Sequence, residues 1–377
     1  MGPRFIDVQA LLYATLTVVL LGAFSAACSD QTATDQSSAE STSSKGVWEP
    51  VNYSEDIKLH SVHFISADEG WVSGAEGTIL HTTDAGANWE VQLGRPGTGL
   101  TDDVTMLRFV DSTHGFAALG RKLLRTTDGQ SWEEAGRLGG EFGPFKDMAF
   151  FSPQVGLQIV TTASHIARTT DGGRTWEKTL PECKAEMVVE GDTKEVTCEL
   201  SRIEIVSPQV AFATAGGTGT FFLWKTADAG ATWELITSSS DHAHEDESYF
   251  EQYPAFLDQQ KGFLVMPRNH KHLMTLDGGQ TWRAIISQAE GPLKFADEKV
   301  GWAVSGTKVV YTVDGGQTWL PVETSWPGYG NDFSFGGPGR VYVVGEHGMI
   351  LRYTIVPETY ESPDMVEAPA MGAARKP

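Results

Sequence analysis

Six copies of one short pattern constrain this chain more than any other feature of its 377 residues. TTDAGANW ends at Trp89, TTDGQSW at Trp132, TTDGGRTW at Trp176, TADAGATW at Trp233, TLDGGQTW at Trp282 and TVDGGQTW at Trp319. The second copy lacks one residue. Their aspartates, Asp84, Asp128, Asp171, Asp228, Asp277 and Asp314, are spaced by 44, 43, 57, 49 and 37 residues. A period in this range marks a solenoid or a propeller, with about four strands per repeat in the propeller case.

Each repeat holds the same parts in the same order. Stretches such as Val62-His-Phe-Ile, Ile203-Glu-Ile-Val and Leu293-Lys-Phe alternate as an inner strand would. A Gly-aromatic strand follows, at Gly70-Trp71, Gly115-Phe116, Gly262-Phe263 and Gly301-Trp302. A third strand, such as Thr78-Ile79-Leu80-His81, runs into the aspartate pattern, and the pattern's tryptophan opens an outer strand. The chemistry of this "Asp box" is that of a tight turn. The carboxylate accepts backbone N–H bonds, the glycine supplies a left-handed position, and the tryptophan covers the turn with an apolar ring whose N–H seeks a partner. The six aspartates are therefore read as structural rather than catalytic.

The two ends set the blade count. Gly345 to Thr354 aligns with Gly74 to Thr83, yet no box or outer strand follows it. Val47-Trp48-Glu49-Pro50-Val51 reads as an outer strand with no blade before it. Six full boxes plus one split blade predict an all-β, seven-bladed β-propeller of four-stranded antiparallel blades, closed by the N-terminal outer strand at Trp48. Closure also removes the free sheet edge that invites aggregation.

Repeats of the form F-x-D-x-x-x-G-W-x-V-G-x-x-G-x-I-L-x-T-x-D-G-G-x-x-W are followed almost throughout by Phe64 to Trp89 and in large part by Phe295 to Trp319. In these the chain resembles the photosystem II assembly/stability factor family, over nearly all of residues 47–356. The box alone also recurs in sialidases, xyloglucanases and sortilin-type receptors. The family resemblance implies a non-enzymatic, monomeric scaffold that holds a membrane-complex subunit during assembly, in photosynthesis for the photosynthetic members. No cofactor is implied. Photosynthetic members carry an arginine patch, and no such basic cluster stands out in this sequence. The alternative reading is a carbohydrate-binding, glycoside-hydrolase or sialidase-like propeller.

Targeting signals sit outside the repeats. Arg4 precedes an apolar run from Ala10 to Phe24, and Ser25-Ala26-Ala27 leads into Cys28, as in a signal peptide (1–27) with a lipidation site at Cys28. A plain cleavage site and an uncleaved anchor stay open. Residues 28–46 are Ser/Thr-rich with little to bury and are expected to form a flexible tether, and 357–377 a disordered tail. The expected location is the cell envelope, periplasmic or extracytoplasmic. Glu190-Gly191-Asp192 turns the segment between Cys183 and Cys198 back on itself, which suits a disulfide in an oxidising compartment. The net charge of −21 argues against nucleic acid as a partner.

Candidate binding residues lie on the long loops. In a propeller the outer-to-inner connections and the second-to-third-strand loops share the face opposite the boxes, and the inserts here fall on it: Gly94 to Asp103, Gly136 to Phe145, Cys183 to Cys198, Ser238 to Tyr253 and Thr324 to Asp332. His242 and His244, with His270 and His272 in the next loop, form two H-x-H pairs; they are tentative partner-binding residues and a weak metal candidate. Trp326 and Tyr329 offer an aromatic anchor for a peptide or sugar, or a loop packed by its own rings. No catalytic residue is assigned: the chain has no nucleophile elbow, P-loop or dinucleotide fingerprint, and no marked carboxylate pair.

Overall fold

A computed structural model of the chain describes residues 46–355, apart from 52, 95–98, 141–142, 162–163, 181, 190–191, 218–219, 240–251, 267–270, 286–290, 325 and 338. Within them the chain is a seven-bladed propeller of four-stranded antiparallel blades, with no helix among the described residues. The inner strands of blades 1 to 7 are Leu59–Phe64, Val104–Phe109, Phe145–Phe150, Glu199–Ile205, Tyr253–Phe256, Leu293–Phe295 and Gly330–Phe335. Blade 7 is completed from the other end of the chain, where Gly46–Pro50 pairs with Ile350–Ile355 and places Trp48 opposite Tyr353. Between blades 3 and 4 a two-stranded hairpin, Lys184–Val189 with Asp192–Thr197, stands outside the blades. Cys183 and Cys198 are bridged at its base, with Cα atoms 5.1 Å apart.

The seams between blades are built by one repeated aromatic contact. At five seams the last residue of an inner strand stacks on an aromatic near the start of the second strand of the preceding blade, which follows a glycine at Trp71, Phe116 and Phe263. Phe109 lies on Trp71 with centroids 3.9 Å apart, Phe150 on Phe116 at 3.4 Å, Phe256 on Phe212 at 3.8 Å and Phe295 on Phe263 at 5.1 Å. Phe64 on Tyr342, at 3.6 Å, makes the same contact between blades 7 and 1. Such pairs contribute roughly 0.5–1.5 kcal/mol each beyond their burial. They also explain the Gly-aromatic signature: a Cβ on Gly70 or Gly115 would overlap the ring of Phe64 or Phe109, against which its own backbone lies.

The aspartate turns behave as local chemistry demands. In the third blade the Thr169 hydroxyl donates to Asp171 Oδ1 at 2.8 Å and accepts the Gly173 N–H at 2.9 Å, while the Thr175 N–H and hydroxyl donate to the two carboxylate oxygens. Gly173 has φ of 89°, a left-handed value that favours glycine. The hydrogen bonds from Ser131 hold the Asp128 carboxyl below the usual carboxylate range, and those from Asn88 and Thr281 do the same for Asp84 and Asp277. The tryptophans differ in their N–H partners. Trp282 and Trp319 donate to Gly279 O and Gly316 O, Trp132 donates to Gln92, and Trp233 donates to Thr179. The buried nitrogens of Trp89 and Trp176 find no acceptor among the described residues. At those two blades the ring is held by apolar packing against Phe64 and Phe150.

Candidate functional site

The inner strands enclose a central channel of about 860 Å³, lined by both charged and apolar side chains. Strand pairing explains which side chains reach it. His63, Arg108, Glu204, Lys294 and Ser334 each pair with the aromatic that follows the start of the neighbouring strand, one residue before the inner strand's last position. With a side-chain period of two, they form one tier facing the axis. A second tier follows from bulges. In five blades the inner-strand register slips by one residue, after His60, Thr105, Lys146, Ser201 and Asn331. The residue just past each bulge, Ser61, Met106, Asp147, Arg202 or Asp332, lines the channel. Bulges re-aim side chains in this way.

Two channel aspartates join neighbouring blades. Asp147 is buried; its Oδ2 accepts the Ile203 N–H of blade 4 at 2.9 Å, and its Oδ1 faces Arg108 Nη2 of blade 2 at 3.3 Å. Asp332 accepts the Ser61 hydroxyl at 2.9 Å and the Val62 N–H at 3.1 Å, both from blade 1, and pairs with Lys294 of blade 6 at 2.7 Å. Burial works against ionising Asp332, but Lys294 and the Val62 N–H outweigh it, so the carboxyl stays below its ordinary range. Ser334 repeats the device by accepting the Phe64 N–H at 2.9 Å. These side chains extend the hydrogen-bond ladder across seams where inner strands do not pair directly.

Two further groups of the channel, His63 and Glu204, are perturbed. Desolvation, aided by the fields of Arg108 and Lys294, lowers His63 to about 4 and keeps its imidazole neutral. Desolvation pushes Glu204 up to about 7, with Asp147 adding to the rise and Arg108 and Lys294 opposing it. Arg202 leans on the ring of Tyr253, 5.4 Å from its centroid, and its Nη1 donates to Ser201 O at 3.3 Å.

The sequence-derived candidates lie elsewhere. His242, His244 and His270 are outside the described residues. His272, expected on a loop, instead belongs to the third strand of blade 5, opposite Val265 and Ile285, and is 3 % exposed. Its alternate-residue position turns the imidazole into an apolar seam with Leu293 and Trp319. Trp326 is half-buried, its ring 5.0 Å from that of Trp48, whereas Tyr329 is 66 % exposed. Only Tyr329 of that pair presents its ring to solvent. Among the described residues no group of three or more His, Cys, Asp and Glu side chains is placed to hold a metal.

No family model matches the chain, and no curated protein matches it. Solved structures do. YCF48 from Cyanidioschyzon merolae is similar at 17% identity and a TM-score of 0.62, over 81% of this chain and 98% of that one. A structure described as YCF48 bound to D1 peptide matches at 19% identity and 0.59, over 81% and 96%. A GH74 xyloglucanase from Xanthomonas campestris matches at 16% identity and 0.58, over 81% of this chain but 53% of that one. What they share with this chain is the propeller.

Sequence reasoning passed over the channel itself. A signal was present: a polar residue directly before the last phenylalanine of an inner strand, as in His63-Phe64, Arg108-Phe109, Lys294-Phe295 and Ser334-Phe335. Its meaning emerges only once the strands are arranged about an axis.

Proposed function

We propose that this protein is a non-enzymatic binding scaffold of the cell envelope that holds a protein partner, a subunit of a membrane complex, on the insert-bearing face of its propeller. The observation that carries this reading is the commitment of the channel aspartates. Asp147 and Asp332 are each tied to a backbone N–H of the next blade and to a cation, which suits a rigid ring better than a reacting pair. The likeness to YCF48, one structure of which holds a D1 peptide, extends along almost the whole of those chains and supports the same reading. A lipid on Cys28 and the tether of residues 28–46 would keep the propeller at the membrane surface.

The test is capture from detergent-solubilised envelopes, with the hairpin of residues 184–197 deleted and Tyr329→Ala as surface variants. A stoichiometric membrane subunit retained by the wild type and lost by either variant supports the scaffold. Hydrolysis of xyloglucan or a sialoside by the purified protein, abolished in Glu204→Gln, overturns it. That second outcome belongs to the glycosidase alternative, which one observation favours: Glu204, pushed up to about 7, has the protonation a general acid needs. The two inner-strand aspartates that share the channel with it, Asp147 and Asp332, are already engaged.

A further inference from the structure

In a chain with 28 Lys and Arg against 49 Asp and Glu, the channel gathers three cations from alternate blades, Arg108 of blade 2, Arg202 of blade 4 and Lys294 of blade 6. Opposing charge is largely spent. Asp147 and Asp332 divide their oxygens between those cations and backbone N–H groups. Arg202 forms no ion pair among the described residues; its stem rests on Tyr253, and one hydrogen bond to Ser201 O leaves most of its fork unused. Met106, Pro254, Ala255 and Pro292 supply apolar wall beside the cations. A space of this volume is in the range that takes a small molecule.

We propose that the central channel binds a small organic polycarboxylate, with one carboxylate on the fork of Arg202, another toward Lys294 and Arg108, and its carbon skeleton against the apolar wall. A planar carboxylate matches a guanidinium fork with two parallel hydrogen bonds, and the low-dielectric enclosure strengthens the attraction. This inference is independent of any protein partner on the outer face.

Protons are linked to this site. Glu204 shares the channel with Arg108, Arg202, Lys294, His63, Tyr253, Asp147 and Asp332, and with His60, Asp297 and Glu298, of which His60 is paired with Asp103 and Asp297 accepts the N–H groups of its own turn. Below about 7 its carboxyl is largely neutral and adds no opposing charge. Above that value it ionises beside the cations, competes for them and repels a second anion. His63, held neutral down to about 4, contributes no charge in between.

Isothermal titration of the folded propeller with citrate tests the site, with inorganic phosphate as the comparison probe. Saturable citrate binding at pH 6, weakened about tenfold at pH 8, is expected from one charge turning unfavourable in the channel. Arg202→Gln, which gives up the contact with Tyr253 but leaves the aspartate and aromatic contacts across the seams in place, should weaken citrate about tenfold or more at pH 6 in protein that melts as a folded propeller. Glu204→Gln should retain citrate binding and lose the weakening between pH 6 and 8, leaving only the modest strengthening that citrate's own last ionisation in that range brings. Absence of saturable citrate binding at pH 6, unchanged affinity in folded Arg202→Gln, or phosphate binding as tightly as citrate would each overturn the proposal.

Discussion

Aspartate does two different jobs in this molecule. On the outer rim, each box aspartate bonds to residues two to four positions away, as Asp171 does with Thr169 and Thr175. In the channel, Asp147 reaches across 56 positions to Ile203, and Asp332 across 270 to Val62. The rim turns are closed by their own sequence and lie in solvent; the channel contacts join separate blades and are largely desolvated. The rim shapes a hairpin, whereas the channel holds a ring together.

If that contrast is right, the largest loss comes from the channel. Asp147→Ala leaves the Ile203 N–H and the Arg108 guanidinium without their acceptor and should lower stability by about 2–4 kcal/mol in chemical denaturation. An effect below that of a rim variant would break the comparison. The hairpin offers a third case, a crosslink over 15 residues of sequence. Replacing Cys183 and Cys198 by Ser should cost about 3 kcal/mol or less, the entropy of freeing a loop of that length.

Glu204→Gln should act in the opposite direction and reveal the channel's low dielectric. The folded carboxyl titrates near 7 and the unfolded one near 4.3, so the folded state holds the extra proton between these values. Wild-type stability is then greatest below the lower value and falls as pH rises to about 7. The variant should match the wild type at pH 4 and exceed it by about 1–2 kcal/mol at pH 8, after allowing for partial exposure to the channel. Thermal melts across that range decide it.

The rim predicts the smallest effects and the reverse pH response. Folded pKa values of Asp84, Asp128 and Asp277 are depressed by their hydrogen bonds, so their contribution is present at neutral pH and is lost as acid titrates them below the ordinary carboxylate range. Ala229, which holds φ of 54° where four boxes have glycine and the first has Ala85, sharpens the point. Ala229→Gly should raise stability by about 0.5 kcal/mol, relief of a left-handed alanine partly offset by chain entropy. A loss on that substitution would show that the alanine side chain, rather than turn geometry, matters there.

Much of the fold was legible because its signals are local. The T-x-D-x-G-x-x-W turn is complete within eight residues, the Gly-aromatic step announces a strand that must lie against a ring, and the split blade shows as two fragments that complete one another. His272 was misplaced because alternation in Lys271–Thr275 looks like a loop motif when read as H-x-H. Trp326 was offered as an anchor because nothing nearby in sequence reveals that Trp48, far away in the chain, covers it.

The sequence by itself determined the repeat and the turns, which depend on hydrogen bonds and packing among residues close along the chain, and it showed the blade count and the ring closure as two complementary fragments, although those strands pair from opposite ends of the chain. Only the tertiary structure decided that Arg108, Arg202, Glu204 and Lys294 share one channel, and which aspartates are already engaged there. Those residues belong to different blades, and five inner-strand bulges set which side chains face the axis. Desolvation acts on groups only once they are gathered, so the character of the channel is a property of the closed ring.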